Sequence, residues 1–98
     1  MQVRFADKRL QRLETDVAYR AGFGPEIVRA FRQRMALIRA AVDERAFYAL
    51  KSLHYEKLKG DRARERSMRL NKQFRLVLRM EEAEGGRTVV VISVEDYH

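Results

Sequence analysis

Three side chains of this sequence, Lys59, Arg75 and His98, are of the types that could break an RNA phosphodiester bond without a metal. In that reaction the substrate's own 2′-hydroxyl attacks the adjacent phosphorus, which requires a base, an acid for the leaving oxygen, and cations around the phosphoryl group. An imidazole near its unperturbed pKa can give or take a proton at neutral pH. An ammonium and a planar guanidinium can stabilise the charge that develops. Residues for other familiar chemistries are missing. The sequence has no phosphate-binding glycine loop and no recognisable metal-ligand spacing; His54 and His98 stand far apart, and there is no cysteine for a disulfide or a thiolate metal site. Neither a metal nor a cofactor is expected.

The charge is placed where such chemistry would need it. Between Lys57 and Arg79 there are nine Lys or Arg and two acids, Asp61 and Glu65, so that window carries the whole net charge of +7. A field focused in this way attracts polyanions, which makes nucleic acid or an acidic protein segment the natural partner. A solvated basic face is the plain alternative.

The elements that must position these residues follow from periodicity. Val3 and Phe5 alternate in a short first strand, and Leu10, Leu13 and Val17 share one face of a helix running to about Arg20. Pro25 suits the first turn of a second helix, whose apolar face carries Ile27, Val28, Phe31, Met35, Ile38 and Val42. Phe47, Leu50 and Leu53 allow a further helical turn or two. Met68 and Leu70 alternate, Asn71-Lys72 makes a tight connection, and Phe74, Leu76, Leu78 and Met80 alternate with Arg75, Val77 and Arg79. Glu81 to Gly86 reads as a polar turn, and the β-branched run Thr88 to Val94 returns as an antiparallel partner. The result is an α+β fold in one domain over residues 1–98: a strand, two packed helices, then a three-stranded antiparallel meander in one sheet. The helices should cover one face of that sheet and leave Gln73, Arg75, Val77 and Arg79 on an open face. No stretch approaches the roughly 20 apolar residues that span a bilayer, so a soluble, cytoplasmic chain is expected, with no membrane partner.

Four pieces of the chain then form a pattern: Leu58-Lys59-Gly60-Asp61-Arg62, Ser67, Gln73-Phe74-Arg75-Leu76, and the closing Glu95-Asp96-Tyr97-His98. In this order and spacing the chain resembles the HigB-type (proteic killer) toxins of the RelE/ParE superfamily, which read L-K-G-D-R, a short serine-containing strand, N-W-R-I and a closing E-D-Y-H. The resemblance implies a RelE-like, microbial-ribonuclease-like fold and a metal-independent, ribosome-dependent endoribonuclease that cuts translated messenger and so inhibits translation. It implies two partners: a HigA-like helix-turn-helix antitoxin, through which oligomers would mainly form, and the ribosome with messenger in its A site. By the same resemblance Lys59, Asp96, Tyr97 and His98 fall on positions implicated in cleavage, with Arg75 holding the scissile phosphate. Arg62, Arg66, Arg69, Gln73, Arg79 and His54 are expected to hold the RNA or the ribosome.

The sequence departs from the family pattern in four places. His54 stands five residues before Lys59 rather than three, Gln73 replaces an asparagine, Phe74 replaces a tryptophan as a core substitution, and Arg66 occupies a position often aromatic. Taken singly, each candidate also has an ordinary structural reading. A lysine in a Lys-Gly-Asp turn is usually solvated, arginines on an alternating strand are usually its polar face, and a final histidine is usually frayed. Two other function classes stay open: a ParE-like toxin that binds DNA gyrase without a nuclease site, and a catalytically silent nucleic-acid or ribosome-binding module. The joint presence of Lys59, Arg75, Tyr97 and His98 favours cleavage.

Overall fold

In the computed structural model, which describes residues 1–83 and 86–96, β1 (Gln2–Phe5) leads into two helices, α1 (Lys8–Thr15) and α2 (Pro25–Ala40). A short α3 (Arg45–Ala49) and a 3₁₀ turn (Lys51–Leu53) follow, then β2 (Glu56–Lys57), a second 3₁₀ turn (Gly60–Arg62), β3 (Glu65–Arg69), β4 (Phe74–Ala83) and β5 (Gly86–Asp96). The sheet has the order β1-β5-β4-β3-β2, with β1 parallel to β5 and the remaining pairs antiparallel. The expected meander is therefore present as β3-β4-β5, and the two-residue β2, which no periodicity announces, extends the sheet to five strands.

Both long helices stop earlier than their apolar spacing suggests. Asp7 caps α1 by accepting the Arg9 N–H at 2.8 Å. The helix ends at Thr15, because the Asp16 carboxylate takes the Ala18 N–H at 3.1 Å, giving the backbone a turn in place of a further helical bond. Arg32, reaching from α2, then accepts nothing and donates to the carbonyls of Leu13, Asp16 and Tyr19 at 3.0, 2.9 and 3.2 Å, satisfying the groups the broken helix leaves over. Val17 consequently lies in the turn, 85% exposed, rather than on the buried face. At the far end of α2 the Met1 ammonium donates to the carbonyls of Ile38, Arg39 and Ala41 at 3.3, 2.9 and 2.7 Å, a cation where the helix dipole is negative. Val42 falls beyond that cap and is 91% exposed. The remaining assigned face, Ile27, Val28, Phe31, Met35 and Ile38, is buried as its spacing predicts.

These residues meet Leu13, Phe47, Leu53, Met68, Leu76, Leu78, Val89 and Val91 in one core between the helices and the sheet. Phe74 packs edge-on against Phe23 at 6.3 Å between ring centres, as a core substitution should. The opposite face of the sheet corrects the expectation of an open surface. Val77 and Val90 there are fully buried and Ser67 nearly so, although none belongs to the helix-side core. Strand register surrounds them with Glu65, Arg69, Arg75, Arg79, Ser93 and Glu95. The aliphatic stems of the long side chains among them can cover the two valines, while their heads meet Arg62, Glu81 and His54 as well as one another. The β4-β5 hairpin is longer than the expected polar turn, since pairing continues to Ala83 and Gly86. Among the described residues, no helix is long and apolar enough to cross a membrane.

Candidate functional site

The Lys59 turn hangs from the sheet's edge. Leu58 is buried and its N–H donates to the Glu65 carbonyl at 3.0 Å, pinning the chain just before Lys59. Gly60 then takes a left-handed φ of 70°, where a side chain would be strained, and reverses the chain into the 3₁₀ turn. Lys59 is left exposed at the start of that turn. Glu56, Lys57, Leu58, Lys59, Arg62 and Arg75 line a cleft of about 350 Å³, so the turn's lysine and the central strand's arginine open onto the same space.

An ion-paired network forms the back of this cleft. Arg62 donates from Nη1 and Nη2 to the two oxygens of Glu95 at 2.8 and 2.6 Å, and from Nε to Glu65 at 2.8 Å. Ser93 Oγ donates to Glu95 Oε2 at 2.6 Å, and Arg75 Nη2 lies 4.0 Å from Glu95 Oε1. The Arg62 hydrogen bonds foremost, then the Ser93 hydroxyl, hold the Glu95 carboxyl at about 2 against the opposing effect of burial. The same pairing raises the Arg62 guanidinium above its ordinary value. Arg75, with a side chain 20% exposed, sits opposite Glu95 on one neighbour and opposite Arg69 on the other.

The remaining expected residues distribute around this centre. Gln73 donates to Asp96 Oδ2 at 3.0 Å, tying the loop before β4 to the end of β5. The Asn71 carboxamide accepts the N–H groups of Gln73 and Phe74 at 2.9 and 2.7 Å and so fixes that loop. His54, at a left-handed φ of 46°, places Nε2 3.4 Å from Arg69 Nη1. His54 therefore reaches the site from the side, through Arg69, and does not line the Lys59 cleft. Arg79 pairs with Glu81 at 2.7 Å, and Arg4 of β1 pairs with the same carboxylate at 2.6 Å. Arg79 also lines a larger basic cleft of about 710 Å³ with Lys57, Arg62, Arg64 and Arg66.

Arg66 reaches that larger cleft from the other side of its strand. Its register partner is the core residue Leu78, which puts it on the helix side of β3, where Nε lies 3.4 Å from Glu44 and Nη1 donates to the Ala63 carbonyl at 3.2 Å. The Tyr55 hydroxyl donates to the same Glu44 at 2.6 Å, and burial with that bond pushes its pKa up. Tyr97 and His98 lie outside the described residues. Sequence reasoning gave no role to Glu95, Ser93 or Glu65. The signal was available in part, since alternation along the last strand puts Ser93 and Glu95 on one face.

The sheet order, the helix pair and the strand-borne basic cleft define an α+β protein with the fold of the RelE and YoeB toxins. A YoeB/ParE toxin from Agrobacterium tumefaciens superposes over all of both chains at 19% identity with a TM-score of 0.57. A conserved hypothetical protein from Helicobacter pylori, in its solution structure, superposes over 99% of this chain and 94% of its own at 13% identity and a TM-score of 0.53. The RelBE toxin–antitoxin complex from Mycobacterium tuberculosis aligns at 21% identity over 97% of this chain and 95% of that one, with a TM-score of 0.49. No curated protein matches the sequence. The family model for RelE-like toxins of the type II toxin–antitoxin system HigB matches residues 3–98, and the chain belongs to that family. It is a type II toxin, of a kind whose counterpart is an antitoxin.

Proposed function

We propose that this toxin is a metal-independent endoribonuclease that cuts translated messenger in the ribosomal A site and thereby stops translation. The observation that carries the reading is the cleft shared by Lys59 and Arg75 beside the strand that leads into Asp96. A scissile phosphate seated there would have a cation on each side as negative charge builds on the phosphorane. The substrate 2′-oxygen attacks phosphorus and loses its proton to a base. The bond to the 5′-oxygen breaks as that oxygen gains a proton from an acid, leaving a 2′,3′-cyclic phosphate and a 5′-hydroxyl.

In this scheme His98 supplies one of the two proton transfers and Asp96 orients or charge-stabilises it. Tyr97 offers a ring for a splayed base and a hydroxyl for a sugar or phosphate contact. Arg69, Arg79, Gln73, Arg66 and His54 hold the RNA or ribosomal RNA around the cleft. So few groups make a weak free ribonuclease, which is why the ribosome is assigned the positioning of the messenger. A HigA-like helix-turn-helix protein is the proposed antitoxin.

The test is brief induction in a bacterial cell with mapping of new messenger 5′ ends, beside Lys59→Ala and a variant ending before His98. In-frame cuts within translated codons that vanish in both variants are the expected result. Growth arrest without new ends would overturn the reading and direct attention to gyrase.

A further inference from the structure

We propose that Glu95 is a positioning residue that ties the Lys59 turn to the last strand and so fixes the Lys59 ammonium relative to the Arg75 guanidinium. The proposal rests on the nuclease reading only for the use to which that fixed geometry is put.

The need for such a tie is visible in the backbone. The segment carrying Lys59 leaves the sheet after β2, which pairs with β3 through Glu56↔Ser67 and Lys57↔Arg66 and is followed by one further backbone bond, Leu58 N–H to the Glu65 carbonyl. A ladder that short holds an edge weakly. Arg62, at the end of the turn, reaches back across β3 and β4 to Glu95 on β5, passing the width of two strands. Both Glu95 oxygens take one Arg62 nitrogen each, at 2.8 and 2.6 Å, and one of them also takes the Ser93 hydroxyl at 2.6 Å. A two-pronged contact between planar groups sets direction as well as distance. Glu95 Oε1, which takes Arg62 Nη1, also lies 4.0 Å from Arg75 Nη2, a charge contact too long for a hydrogen bond.

The charge balance supports the assignment. Arg62 and Arg75 face Glu65 and Glu95 in a network whose formal charges cancel. Arg62 directs Nε and both terminal nitrogens at carboxylates. With that network neutral, Lys57 and Lys59 against Glu56 leave the cleft a net positive charge. The two sequence pieces Leu58–Arg62 and Glu95–Asp96 thus meet through one ion pair, and that pair does not itself need to touch the substrate.

The experiment compares the full chain with Glu95→Gln, Arg62→Gln, their double variant, and Arg39→Ala, whose ion pair with Glu14 lies on the helices. ¹⁵N spectra follow the arginine side chains and the Gly60 backbone amide, and multiple-turnover cleavage on programmed ribosomes gives kcat and KM. Glu95→Gln should shift the Arg62, Arg75 and Gly60 signals, and Arg39→Ala should not. Each single change should lower kcat about 10- to 100-fold per folded molecule, as a displaced catalytic group does. KM should stay within about twofold, and the double variant should lose no more than the worse single one, because both remove one tie. Should Glu95→Gln not fold, Ser93→Ala, which removes one of the three contacts, should move the same signals by less. Unmoved Arg75 and Gly60 signals would overturn the proposal, as would an unchanged kcat or losses that multiply. Wild-type protein that cuts no messenger would sink the nuclease reading, while the spectra alone would still decide whether Glu95 positions the turn.

Discussion

The two faces of the sheet bury valines equally well and by different means. On the helix side, Leu76, Leu78, Val89 and Val91 share one core with Phe31, Met35 and Ile38, an apolar contact with no titrating group. On the other side Val77 and Val90 are as completely buried, yet their cover is made of arginine and glutamate stems whose heads form ion pairs. Apolar burial supplies most of the folding free energy, whereas exposed and half-exposed ion pairs are each worth about 0–1 kcal/mol. The ion-paired face therefore contributes placement more than stability. It holds basic groups at fixed positions around a cleft without a second layer of helices to block access.

That division can be broken from either side. Phe31→Ala removes a fully buried ring from the helix side and should cost about 3–5 kcal/mol, a large share of the roughly 5–15 kcal/mol that holds a domain folded. A denaturant midpoint unchanged by this substitution would show that the helix face does not carry the stability. On the ion-paired side, Lys59→Ala truncates an exposed side chain and should leave stability within about 0.5 kcal/mol. Its effect should fall on messenger cleavage, with about a 10²- to 10³-fold loss typical of removing one group that stabilises a developing charge. Full cleavage by this variant would take Lys59 out of the mechanism.

The same contrast explains what was legible in the sequence. Apolar periodicity is a strong signal for a face packed against helices, and Phe31, Met35, Ile38, Leu76 and Leu78 lie in the core as their spacing predicts. The α+β class and the β3-β4-β5 meander follow from it. Helix ends were less legible, because Asp16 and the Met1 ammonium stop α1 and α2 through local hydrogen bonds to which hydrophobic spacing is blind. Strand β2 was invisible for a related reason, being two exposed residues held by pairing alone. At the site, resemblance and charge pointed to Lys59 and Arg75, which do share a cleft. The ion-pair partners were not legible, since which glutamate an arginine meets depends on register. Charge alone does not reveal that Arg62 meets Glu65 and Glu95, or that Arg66 lies opposite Leu78 and near Glu44. Tyr97 and His98, the other half of the sequence-based site, lie outside the described residues.

Acid provides a finer probe of the ion-paired face. The Glu95 carboxyl, held at about 2 by Arg62, lies below its ordinary 4.5, so its pairing stabilises the folded state above the ordinary value. The contribution fades as pH falls through that interval and is gone below the folded-state pKa. Glu95→Gln should therefore lie below the wild type in stability by up to about 1 kcal/mol at neutral pH, the scale of a half-exposed pair. The two curves should converge as the medium is acidified. Parallel curves down to the acid limit would mean that the pairing contributes nothing to folding.

The smallest expected effect sharpens the boundary between the faces and the surface. Leu13 and Val17 share one helical stripe by spacing, so both read as core. The structure separates them, with Leu13 fully buried and Val17 85% exposed in the turn that Asp16 and Arg32 stabilise. Leu13→Ala should cost about 2–5 kcal/mol, the range for truncating a buried leucine, while Val17→Ala should fall within about 0.5 kcal/mol of zero. Equal losses at the two positions would place Val17 in the core and extend α1 through it. A near-zero loss at Val17 alone would locate the end of the helix at the aspartate, where side-chain hydrogen bonding outcompetes apolar periodicity.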